Sequence, residues 1–168
     1  MAAQSPAAAL SDAFIGLGAN LGDRARQIDS ACAEIAAMPT TTLVARSALY
    51  ASAPLDAPGG EYLNAVAHVR TALAPLALLR ALQAIEARHG RVRPFAGAPR
   101  TLDLDLLLYG DLVLASDELT LPHPRLHERA FVLRPLAEIA PERIVPGRGQ
   151  VTDLCAAVAG QRVAKLDR

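Results

Sequence analysis

Apolar residues in this chain come in short bursts, separated by breaks rich in glycine and proline, and the bursts alternate between strand and helix periods. Residues 13–17 (Ala-Phe-Ile-Gly-Leu) make a short apolar strand, which Gly18, Asn20 and Gly22 break. Asp23 is placed to cap a helix running to Ala37, with Ile28, Cys32 and Ile35 on its inner face and Pro39 closing it. Residues 42–50 predict a second strand, ending in the Pro- and Gly-rich stretch 53–60. Residues 62–70 predict a third, with Tyr62, Asn64, Val66, His68 and Arg70 sharing one face. A second helix spans 75–89, with Pro75 in its first turn, Gly90 as its stop, and Leu78, Leu79, Leu82 and Ile85 turned inward. Then come a loop at 91–101, a strand at 102–109, a hairpin partner at 112–114, a strand-like 131–133 and a terminal helix near 152–159. The order β-α-β-β-α-β predicts an α+β fold with a ferredoxin-like core, a mostly antiparallel sheet with helices packed on it. One domain over 13–168 follows a flexible tail at 1–12.

Composition narrows the classes without selecting one. A chain of 168 residues, 52% hydrophobic and 20% charged, is long enough for a single core and reads as a soluble globular protein. Seventeen basic and seventeen acidic residues cancel, which removes any global pull toward nucleic acid or an anionic membrane. No apolar stretch reaches the length of a membrane span, and the Ala-rich start lacks the basic region of a signal peptide. Cys32 and Cys155 have no CxxC spacing and read as small packing residues of a reduced, cytoplasmic protein.

Chemistry concentrates between Arg91 and Gly110. In a strand, Asp103 and Asp105 project from one face, about 6.5 to 7 Å apart at Cα, while Leu102, Leu104, Leu106 and Leu108 project from the other. That spacing suits shared ligation of one or two hard divalent cations. Arg91, Arg93 and Arg100 lie just upstream, and guanidinium forks match phosphate oxygens. An isolated Asp-x-Asp more often lines a solvated face. Here the run Leu106-Leu107-Leu108-Tyr109 makes the strand look central, where two carboxylates need a compensating charge such as a metal. The residues therefore point to phosphoryl transfer.

Other glycine-based readings fall away. Gly16, Gly18 and Gly22 miss the dinucleotide spacing by one residue, and no Walker sequence is present. A metal-dependent phosphodiesterase or nucleotidyltransferase would use the same aspartates and arginines. An RNA-binding module on a similar fold would need exposed aromatics and a basic surface, against 4% aromatic residues and zero net charge.

Four segments resemble the 6-hydroxymethyl-7,8-dihydropterin pyrophosphokinase family: Gly-Leu-Gly-Ala-Asn-Leu-Gly (16–22), Glu-Tyr-Leu-Asn-Ala-Val (61–66), Pro-Arg-Thr-Leu-Asp-Leu-Asp-Leu-Leu (99–107), and Leu-Pro-His-Pro (121–124) with Arg129-Ala130-Phe131. The resemblance implies Mg²⁺-dependent transfer of a diphosphate from ATP to a pterin alcohol in folate biosynthesis. It implies that Asp103 and Asp105 hold two Mg²⁺ and that Tyr62 and Phe131 sandwich the pterin with Asn64 at its edge. Ser52, Pro54 and Leu55 would wall that pocket. Arg91 and Arg100 would clamp phosphates, with Gln83, Glu86, Thr120, His123 and Arg129 around the nucleotide. Small-molecule substrates, no nucleic acid or membrane partner, and a monomer are the matching expectations. The chain departs from the family's pattern at 94–98, which lacks a tryptophan and an arginine, at Pro124 in place of an aromatic, and at Glu118 where a basic residue can stand.

Overall fold

The computed structural model describes residues 9–20, 22–52, 61–90 and 102–166. Its main sheet has six strands: β1 (Ser11–Ala19), β2 (Thr41–Arg46), β3 (Tyr50–Ser52), β4 (Tyr62–Thr71), β5 (Asp103–Tyr109) and β10 (Val163–Lys165). They run in the order β10-β3-β4-β1-β5, with β2 pairing β4 beyond β3, and every pairing is antiparallel. Helices α1 (Arg24–Ala36) and α2 (Pro75–Arg88) supply the two helical crossings of the βαββαβ core. Two small hairpins, β6 (Leu114–Ala115) with β7 (Thr120–Leu121) and β8 (Ile144–Val145) with β9 (Gly149–Gln150), flank the second helical pair. That pair is α3 (Ala130–Ile139) and α4 (Val151–Ala157).

Alternation along β1 and β4 separates two cores. Ala13, Ile15, Leu17 and Ala19, with Leu63, Ala65, Ala67 and Val69, pack against Ile28, Cys32 and Ile35 of α1 and Leu78, Leu82 and Ile85 of α2. Phe14 and Val66 face the other way, onto Val132, Leu133 and Leu136 of α3 and Val151 of α4, with Cys155 packed alongside. Asp23 caps α1 by accepting from the Arg26 N–H at 3.2 Å, and Pro75 occupies the first turn of α2.

Several sequence expectations are corrected. The strand expected at 42–50 is two strands, because Ser47–Leu49 leave the ladder: the Ser47 hydroxyl accepts from the Val66 N–H and donates to the Ala48 carbonyl. Residues 131–133 are helical, since Phe131, Val132, Leu133 and Leu136 are a helical apolar face rather than a strand. Residues 112–114 do not pair with β5; Leu114 pairs with Leu121. The β1 strand starts at Ser11, so two residues assigned to the tail are in the sheet. Finally, β5 is an edge strand, not a central one. It reads as central because its outer edge is covered: the Leu104 N–H donates to Glu86 Oε2 at 2.8 Å, and the Leu107 carbonyl accepts from the His123 N–H at 2.9 Å. A bulge opposite Phe14 and Ile15 also turns Leu108 to the Phe14 side, away from Leu104 and Leu106.

Candidate active site

The sheet brings three separate sequence motifs into one row. Gly18 of β1 pairs with Asp103 of β5 on one side and with Asn64 of β4 on the other, and Asn64 in turn pairs with Tyr50 of β3. One step along, Gly16 separates Asp105 from Val66. Both aspartates therefore lie on the Asn64 face of the sheet, half-buried, with glycines beside them. A Cβ at Gly18 would stand 3.5 Å from Asn64 Oδ1 and 4.0 Å from Tyr62 Cδ1. The missing side chain leaves a floor between the carboxylates and the Tyr62–Asn64 pair.

Asn64 is buried, and its Nδ2 donates to Ser52 Oγ at 2.8 Å and to the Tyr50 carbonyl at 3.2 Å. Both amide protons are spent inside the protein, so Asn64 turns an oriented acceptor, Oδ1, toward the Gly18 side. Ser52 thus helps to fix the orientation of the Asn64 amide. Phe131 sits in the first turn of α3, partly buried against the second core, with the Arg129 guanidinium 5.5 Å from its ring centroid.

Charge gathers on the same side of β5. Burial and the neighbouring Arg129 push the His123 imidazole below its ordinary pKa, opposed by Asp103. Burial also lowers Arg129, with Arg125 adding to the effect and Asp105 and Asp103 opposing it. The Arg129 Nε is buried without a partner among the described residues. Around the outer edge of β5 lies a cavity of about 230 Å³, lined by Leu79, Leu104, Asp105, Leu106, Ser116, Asp117, Glu118, Leu119, Thr120, His123 and Pro124. Glu118 Oε2 accepts from Arg80 Nη2 at 2.8 Å beside it. Leu79 and Leu106 were expected only as core residues, and Ser116, Asp117 and Leu119 were not singled out; their signal as site residues is proximity to Thr120 and the Asp strand.

Of the sequence-expected site residues, Ser52, Tyr62, Asn64, Asp103 and Asp105 come together on the sheet face, and Thr120 and His123 join Asp105 at the cavity. Glu86 is buried beneath β5, holding the Leu104 N–H between the two aspartates, while Gln83 is exposed on α2. Pro54, Leu55, Arg91, Arg93 and Arg100, with the altered stretch 94–98, lie outside the described residues.

The donor set fits Mg²⁺. Among the described residues no group of three or more His, Cys, Asp or Glu forms a ready cage. Two oxygen donors on one face with room beside them suit an ion that keeps waters and shares itself with phosphates.

Comparisons with known proteins agree on one family. A family model described as 7,8-dihydro-6-hydroxymethylpterin-pyrophosphokinase matches residues 14–141. The chain is 42% identical over 158 residues to a 2-amino-4-hydroxy-6-hydroxymethyldihydropteridine pyrophosphokinase of Haemophilus influenzae, covering 92% of this chain and 98% of that protein. It is 44% identical over 154 residues to the protein of that name from Pseudomonas aeruginosa, covering 91% and 95%. Among solved structures, the Plasmodium falciparum HPPK-DHPS with pteroate superposes with a TM-score of 0.73 at 14% identity, over 94% of this chain and 44% of that one, a likeness of fold. With the family model spanning most of the chain and relatives at 42% and 44% identity covered over nearly their whole length, this chain belongs to the 6-hydroxymethyl-7,8-dihydropterin pyrophosphokinase family.

Proposed function

We propose that this protein transfers the diphosphate of ATP to the hydroxymethyl group of 6-hydroxymethyl-7,8-dihydropterin, giving AMP and the pterin diphosphate in folate biosynthesis. The observation that carries the reading is the row Asp103–Gly18–Asn64, with Asp105 one step along, which sets two carboxylates and an oriented amide oxygen on one face with no side chain at Gly18 between them. The pterin lies on that floor, stacked between Tyr62 and Phe131, with Asn64 Oδ1 accepting from its N–H groups. The nucleoside occupies the cavity at the edge of β5, beside Thr120 and His123, and its phosphates pass Asp105 toward Asp103.

Asp103 and Asp105 would hold Mg²⁺, two ions by the family resemblance, and the metal would supply neutralisation of the phosphate charge during transfer. Arg129 faces the same charge from α3, and Arg91 and Arg100 complete the cationic set. The hydroxymethyl oxygen bonds to the β-phosphorus, the bond from that phosphorus to the bridging oxygen of AMP breaks, and the hydroxyl proton is released. The chain's own contribution is placement: two flat or charged substrates held so that oxygen and phosphorus meet. We infer a monomer acting in the cytoplasm. No described helix is long and apolar enough to cross a membrane, and zero net charge matches small-molecule substrates.

Thermal shift tests the reading. A pterin alcohol and a non-hydrolysable ATP analogue with Mg²⁺ should raise the unfolding midpoint together by more than either alone. Stabilisation by nucleotide and metal with none from pterin would favour a nucleotidyltransferase and overturn it.

A further inference from the structure

Gln27 and Glu34 stand seven residues apart on α1, two turns along one stripe, and His89 at the C-terminal end of α2 reaches both of them. The His89 side chain is only 10% exposed. Its Nε2 bonds Glu34 Oε2, its Nδ1 bonds Gln27 Oε1, and Arg88 Nε donates to Glu34 Oε1 at 2.9 Å. Both ring nitrogens face oxygen acceptors, so the two bonds form together only when the ring carries two protons. The resulting cation lies against the Glu34 carboxylate and at the end of α2, where unsatisfied carbonyls favour positive charge. The groups facing the ring are Gln27 and Glu34 from α1, with Arg88 as the neighbouring charge on α2.

Adhesion between the helices does not need this bracket. Ile28, Cys32 and Ile35 of α1 already share a core with Leu78, Leu82 and Ile85 of α2. A nearly buried ionic group adds orientation more than stability. What it orients is the last turn of α2. Three residues before His89, Glu86 is buried and accepts from the Leu104 N–H at 2.8 Å, between Asp103 and Asp105 in the chain. The turn is therefore held on two sides: His89 and Arg88 fasten it to α1, and Glu86 fastens it to β5.

We propose that His89 is a positioning residue for the transfer reaction: as an imidazolium held by Gln27 and Glu34, it fixes the turn from which Glu86 props the aspartate strand. The inference rests on the metal reading of Asp103 and Asp105. Loss of one ring proton turns a nitrogen lone pair toward an oxygen and removes one of the two bonds. Histidines change charge between about pH 5 and 8, so the bracket is complete at the acid end of that range and slackens toward the other. Its acid limit is Glu34. Burial pushes that carboxyl up, but Arg88 and His89 outweigh it and hold its pKa below the usual 4.5.

The test uses the whole protein. Nitrogen-15 NMR of the wild type at about pH 5.5 should show a proton on each His89 ring nitrogen; a neutral ring there overturns the proposal. Native-state hydrogen exchange then reads the Leu104 amide. Its protection, corrected for intrinsic exchange, should fall about tenfold between about pH 5.5 and 8, with the amides of β4 unchanged. His89→Lys keeps a cation over this range and should stay protected throughout, whereas His89→Gln should be weakly protected at both ends. Leu104 protection that ignores pH in the wild type, or declines equally in His89→Gln, overturns the proposal. With Mg²⁺ and saturating substrates, the turnover ratio of wild type to His89→Lys should fall over the same range, which cancels ionisations common to both. A flat ratio beside the predicted exchange removes the positioning role and leaves only a bracket between helices. Failure of the metal reading would show separately, as turnover that survives loss of the Asp103 or Asp105 charge.

Discussion

Asp103 and Asp105 were legible from two residues of spacing, because strand alternation is a property of the backbone and needs no tertiary knowledge. Their partners across the sheet were not: nothing local says that Gly18 and Asn64 lie beside Asp103. Nor did the sequence show that Asn64 spends both amide protons internally, or that Asn20 is buried without a partner among the described residues. Asp103→Asn and Asp105→Asn keep side-chain shape and remove the charge. Each should lower turnover by about a thousandfold, several kcal/mol at 1.36 kcal/mol per decade, with the unfolding midpoint little changed. Steady-state assays in Mg²⁺ check this, and near-normal turnover in either variant rejects the metal assignment. For the stacking pair, Phe131→Ala should weaken pterin binding by about 0.5 to 1.5 kcal/mol beyond lost burial. An equal loss of nucleotide affinity in calorimetry would mark a folding defect instead.

At the scale of elements, α1, α2 and β4 followed their periodicity closely, and Asp23 and Pro75 start the helices where expected. The misreadings have two causes. Residues 131–133 form too short an apolar run to separate helix from strand, and the deciding partner, Leu136, lies a turn further on. The β5 strand looked central because burial and centrality coincide in most sheets; here Glu86 and the His123 backbone take the place of a neighbouring strand. Glu86→Leu should therefore cost about 1 to 3 kcal/mol in urea unfolding, since it strands the Leu104 N–H. Turnover should drop with it, because Leu104 stands between the two aspartates. The floor gives a separate prediction. A Cβ at Gly18 meets nothing nearer than 3.5 Å, so Gly18→Val should fold, while its side chain occupies the space between Asp103 and Asn64. Loss of pterin binding with an intact unfolding transition is the expected calorimetric result; unimpaired binding would mean the substrate lies elsewhere.

Across the whole molecule, one sheet with a helical pair on each face explains why the site is at one end: β5, β1, β4 and the start of α3 converge there. The βαββαβ core was readable from element order, but the second layer was not, because the apolar run that opens α3 is too short to separate helix from strand and the hairpins beside it have strands of two residues each. Glu138 of α3 ties that layer to the sheet. Its carboxylate accepts from the Tyr50 hydroxyl at 2.6 Å and the Ala48 N–H at 2.8 Å, and pairs with Lys165 at 3.3 Å. Burial pushes the carboxyl up, but these three groups outweigh it and hold its pKa below the usual 4.5. A lowered folded-state pKa means the contribution is complete above 4.5 and is lost as pH falls through the lower folded value. Urea unfolding of Glu138→Gln against the wild type should show a gap near neutral pH that closes in acid; a gap that widens in acid contradicts the assignment. The central claim is the identity of the transferred group, and ³¹P NMR of a single reaction mixture of ATP, 6-hydroxymethyl-7,8-dihydropterin, Mg²⁺ and the protein tests it most directly. The account predicts AMP and a pterin diphosphate accumulating in equal amounts; ADP with a pterin monophosphate, or no pterin-bound phosphorus, would contradict it.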